Sequence, residues 1–82
     1  MLTKEELLQR ITINPKVMVG KPVIQGTRIP VELIVRLLAQ GISEPEILRQ
    51  YPHLQLEDIR AALVYAAAML ANEAVFPLFV EG

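Results

Sequence analysis

The sequence predicts a mainly α fold in which a small β-hairpin precedes three successive helices, the last of them long. Three observations support this. Apolar residues recur at helical spacing from Val31 onward, and the segments Gly41–Ser43 and Tyr51–Pro52 interrupt them. The β-branched runs Ile11–Ile13 and Val23–Ile24, set among glycine and proline, all lie before Pro30. The 82 residues suffice for one domain, set at 1–75, followed by an apolar tail at 76–82.

Each element has a local cause. Thr3-Lys4-Glu5-Glu6 fits a capping box, with Thr3 as N-cap and Glu6 at N3, and starts a short helix over about 4–9. Ile11-Thr12-Ile13 alternates around a β-branched residue and is stopped by Asn14-Pro15. Pro22-Val23-Ile24 and Arg28-Ile29 flank Gln25-Gly26-Thr27, which predicts a tight turn with Gly26 at positive φ and places the hairpin region within 11–30. Pro30 introduces the next helix, where a missing N–H costs nothing. That helix, Val31–Gln40, carries Glu32, Arg36 and Gln40 as its polar stripe, with Glu32 and Arg36 an i,i+4 pair. Gly41 suits C′, Ser43 and Glu46 fit a second capping box, and Tyr51-Pro52 ends the short helix so started. A stripe of Leu56, Ile59, Leu63, Ala66 and Leu70 predicts a last helix over about 56–75, before Pro77.

Composition narrows the function. Hydrophobic residues make up 52% of the chain, yet a chain this short buries only about 60–65% of its unfolded surface. The surplus predicts a homo-oligomer, a dimer in the first instance, or a partner protein. Absence of cysteine excludes disulfides, thiolate metal sites and thiol nucleophiles. The apolar run ALVYAAAMLA at 62–71 is about half of what a membrane crossing needs, and the N-terminus has no signal-like core, so a soluble cytoplasmic protein is expected. Net charge is −1 but uneven: Arg10, Lys16, Lys21 and Arg28 lie in an acid-free stretch, whereas six acids face Arg49 and Arg60 from Ser43 onward.

Catalytic readings find little support. Gly20-Lys21, within MVGKPVIQGTRIPV at 18–31, is no phosphate loop. Proline occupies position 15, where the first glycine would stand, and Pro22 replaces the required Ser or Thr. His53 is the only histidine and lies in a turn, Ser43 is explained by capping, and Glu57 and Asp58 sit where a helix dipole favours acids. No nucleophile–base pair, metal cluster or cofactor motif is present, so neither catalysis nor a cofactor is expected.

The stretch QGISEPEILRQYPHLQLEDIRAAL at 40–63 is similar to the middle of trihelical helix-turn-helix domains, whose third helix can enter a major groove. Its groove-facing chemistry is thin. Arg60, with Gln55 just ahead of it, is the only base-reading side chain beside Glu57, Asp58, Ala61 and Val64.

The two segments GKPVIQGTRIPV and GISEPEILRQYPHLQLEDIRAAL together resemble the prokaryotic family called domain of unknown function 433 over residues 14–63. The resemblance implies a homeodomain-like helix-turn-helix core and a VapB-type antitoxin that neutralises a PIN-like toxin, with promoter DNA as a further ligand and no catalysis. Gln55 departs from the family pattern, in which a threonine commonly caps the third helix. A weaker cap costs about 0.5–2 kcal/mol, offset by Glu57 and Asp58.

The family does not account for residues 62–71, which carry no charge on any face; five of the ten are alanine. A helix apolar all round is buried all round, and Ala62, Ala66 and Ala67, with Leu70, would admit a second helix. Val75, Phe76, Leu78 and Phe79 form an apolar tail suited to docking on a partner. Lys21 and Arg28 are expected to contact phosphate from the hairpin, with Lys16, Gln55 and Arg60 completing the candidate DNA set. Two functions stand: an antitoxin, or a non-catalytic dimerisation or adaptor module without DNA binding.

Overall fold

The computed structural model describes residues 2–16 and 18–71. Helix α1 (Lys4–Leu8) begins with the expected box: Glu6 N–H donates to Thr3 Oγ1 at 3.1 Å, and Thr3 N–H donates to Glu6 Oε1 at 2.8 Å. Strand β1 (Ile11–Ile13) pairs antiparallel with β2 (Pro22–Ile24), with Ile11 opposite Ile24 and Ile13 opposite Pro22. Helices α2 (Val31–Ala39), α3 (Glu44–Gln50) and α4 (Leu56–Leu70) follow. The chain is thus mainly α, with a trihelical unit behind a two-stranded hairpin.

Two sequence expectations need correction here. The turn at 25–27 forms as read, with Gly26 at φ +82° and Thr27 N–H donating to Ile24 O at 3.0 Å. Its second arm is not a strand, however. Residues 28–30 meet β2 through a single bridge, Val23 to Pro30, and β1 is the true partner. The reason is chemical: Pro30 has no N–H to continue a ladder, whereas Ile11–Ile13 offers three consecutive residues.

The second correction concerns α4. Its buried residues are Asp58, Ile59, Ala61, Ala62, Tyr65 and Ala68, not the stripe of Leu56, Ile59, Leu63, Ala66 and Leu70. Of that stripe only Ile59 is buried, Leu63 is 41% exposed and Leu70 is 89% exposed. Helices α1 and α2 both pack on α4, and the small alanines let them come close, so the alanine-bearing faces go inward. The helix is followed to Leu70 with Ala71 as its cap; the expected turn at 72–75 lies outside the described residues.

The core joins these elements through Ile24, Val31, Ile34, Ile47, Leu54 and Ile59, packed with Ala62 and Tyr65. Between α2 and α3, Gly41 at φ +88° makes a full Schellman closure. Its N–H donates to Leu38 O at 3.0 Å, and Ile42 N–H donates to Leu37 O at 3.1 Å. Ser43 Oγ then accepts from Glu46 N–H at 3.3 Å. Only half of the second capping box forms, because the Glu46 carboxylate turns to Arg49 and to Gln50 instead.

Candidate protein-binding surface

Helix α4 is held from two sides, and each side leaves an apolar hollow open to solvent. On the α1 side, Leu2, Leu7, Leu56, Leu63 and Val64 form the hollow, with Glu57 and Arg60 at its rim. On the α2 side, Pro22, Val31, Val35, Ala39 and Ala66 form another, bordered by Met69 and Leu70. Met69 is 50% exposed.

The start of α4 is fixed by a group that sequence reasoning missed. Arg10, counted only as part of a basic stretch, donates from Nη1 to Asp58 Oδ1 at 2.9 Å and to Gln55 Oε1 at 3.2 Å. Asp58 Oδ2 accepts from Gln55 N–H at 2.8 Å. Asp58 therefore accepts from the N–H of the residue that opens α4, and Arg10 compensates its buried charge. A partner 48 residues away in sequence leaves no local signal.

The candidate DNA residues are scattered. Lys16 is exposed in a turn where its own N–H donates to Asn14 Oδ1 at 2.9 Å. Arg28 borders a shallow hollow with Thr12, Asn14 and Gly26, on the same loop side. Lys21 Nζ lies 3.0 Å from Glu32 Oε2, and Arg36 Nη2 lies 3.5 Å from Glu32 Oε1. The Lys21 hydrogen bond and charge, then Arg36, hold the Glu32 carboxyl below its ordinary range. Gln55 faces Arg10, and Arg60 rims the α1-side hollow. Among the described residues, Lys16, Arg28 and Arg60 carry no ion pair, and no surface groups all five candidates.

The candidate interface residues divide similarly. Ala62 is fully buried inside this chain's own core and cannot receive a second helix. Ala66 is half-buried in the α2-side hollow, Ala67 is exposed, and Leu70 projects into solvent. Val75, Phe76, Leu78 and Phe79 lie outside the described residues. His53 is exposed in the turn between α3 and α4. No helix among the described residues is long and apolar enough to cross a membrane.

A two-stranded hairpin on a trihelical unit, with open apolar hollows beside the last helix, defines a small α-rich domain. The chain belongs to the family described as protein of unknown function (DUF433), which matches residues 11–66. It is similar to the crystal structure of a DUF433 member protein from Anabaena variabilis, with TM-score 0.73 and 37% identity, over 83% of this chain and 67% of that one. It is 40% identical over 58 residues to the uncharacterized protein y4eO of Sinorhizobium fredii, covering 71% of this chain and 26% of that protein. An uncharacterized protein of Archaeoglobus fulgidus is 60% identical over 30 residues, 37% of this chain and 83% of the relative. The chain thus spans about a quarter of the Sinorhizobium protein.

Proposed function

We propose that this chain is the antitoxin component of a type II toxin–antitoxin pair, a non-catalytic protein that neutralises a PIN-like toxin by direct binding. The observation that carries this is the outward face of α4, where Leu63 and Ala67 are exposed and Val64 is half-buried beside one cation, Arg60. Such a face gives little to a phosphate backbone and much to an apolar groove on another protein. The likeness of the GKPVIQGTRIPV and GISEPEILRQYPHLQLEDIRAAL segments to the DUF433 family, which implies a VapB-type antitoxin, supplies the class of partner. In this arrangement the α1-side hollow seats the toxin, Glu57 and Arg60 at its rim orient it, and residues 75–80 provide a second apolar contact. The protein acts in the cytoplasm as a homo-oligomer. Promoter DNA binds on the loop side through Lys16 and Arg28.

A second reading, an adaptor without DNA binding, is favoured by the ion pairs. Arg10 and Arg49 each pair with an acid, and Lys21 and Arg36 share Glu32, which leaves few cations to release counterions from phosphate.

Growth of a host expressing the neighbouring open reading frame separates the two. The antitoxin reading predicts arrest by that protein alone and relief by the full chain, with weaker relief when residues 75–82 are removed. Salt-sensitive retardation of the promoter fragment is expected alongside. A neighbour harmless on its own contradicts the antitoxin reading, and a promoter fragment that never shifts leaves the adaptor as the better account of the basic side.

A further inference from the structure

We propose that the α2-side hollow is a homodimer interface, with a two-fold axis passing beside the middle of α2. This depends on the homo-oligomer part of the function proposed above and on neither toxin nor DNA.

The hollow and its border have the form that a self-complementary contact needs. Leu70 projects 89% exposed next to a concave wall of Pro22, Val31, Val35 and Ala39. A projecting apolar side chain and an apolar recess on one face allow each copy to offer its projection to the other's recess. Covering them together removes Met69 and Leu70 from water along with the recess of α2 that they border.

The charges on the rim select a second copy as the occupant. Glu32 and Arg36 lie one turn apart on α2, with side chains 52% and 60% exposed. Two copies of α2 approaching antiparallel about an axis level with Ile34 place Glu32 of each opposite Arg36 of the other. The acid–base pair within one chain thereby becomes two pairs between chains, with Lys21 remaining beside Glu32 at 3.0 Å. Signs that alternate about a centre are matched by the same surface rotated by half a turn. An unrelated partner imposes no such symmetry.

Sedimentation equilibrium of the full chain tests this with Glu32→Arg, Arg36→Glu and Val35→Asp variants, each checked for helical circular dichroism. Wild type is expected at twice the chain mass of 9.2 kDa. Val35→Asp should run as the single chain. Each charge variant alone should dimerise roughly tenfold or more weakly, because one substitution places like charges together at both symmetry-related positions. Mixing the two charge variants should restore the dimer, since one rim is then wholly basic and the other wholly acidic. A wild-type chain at single-chain mass overturns the proposal, as it would if residues 75–80 covered the hollow themselves. So does a dimer indifferent to Val35→Asp, or failure of the mixed charge variants to recover. The exposed charge positions keep the test valid if Val35→Asp does not fold.

Discussion

Asp58 accepts hydrogen bonds from two directions, from the Gln55 N–H that opens α4 and from Arg10 at the end of the α1 turn. Its side chain is 9% exposed while that of Arg10 is 32% exposed. Removing the cation leaves a carboxylate desolvated without its counter-charge, whereas removing the Gln55 carboxamide loses a partly exposed contact. Arg10→Ala is therefore expected to lower unfolding free energy by about 1–3 kcal/mol, below the cost of breaking a fully buried pair because solvent reaches the guanidinium. Gln55→Ala should cost less than about 1 kcal/mol. Urea denaturation of both variants checks the order, and equal midpoints would show that Arg10 is not the group that holds Asp58.

At the scale of elements, much was legible because the signals are local. Thr3 with Glu6, Gly41 with Ile42, and Ser43 with Glu46 each act within a few residues, and all three mark helix boundaries where they were read. The orientation of α4 was not legible. Alanines on every side give its apolar pattern little contrast, so the position of α1 and α2, not the pattern, decides which face turns inward. The same non-local cause hid the pairing of Lys21 with Glu32, eleven residues on, and the role of Arg10. Of the candidate site, the cations could be named from sequence but not their partners, and the burial on every face expected of 62–71 fails at Leu63, which is 41% exposed within the chain. Enlarging a buried alanine tests the observed face. Ala68→Leu, at a position 1% exposed, should destabilise by about 1–3 kcal/mol through overpacking. Leu63→Ser, on the open face, should stay within about 0.5 kcal/mol of wild type. Thermal melts that reversed this order would restore the face first expected.

For the whole molecule, the elements separate three kinds of surface. The loop side beside the hairpin carries Lys16 and Arg28, the α1 side of α4 opens an apolar hollow rimmed by Glu57 and Arg60, and the α2 side opens another rimmed by Glu32 and Arg36. Asp58 and Gln55 at the start of α4 are engaged with Arg10, whereas the apolar groups of the two hollows stay open beside the helix. The most direct test is calorimetric titration of the neighbouring PIN-like protein into wild type and into Leu63→Asp. A charge in the α1-side hollow should weaken binding by at least about tenfold while leaving helix content and the dimer intact. Unchanged affinity would contradict the assignment of α4's open face to the toxin.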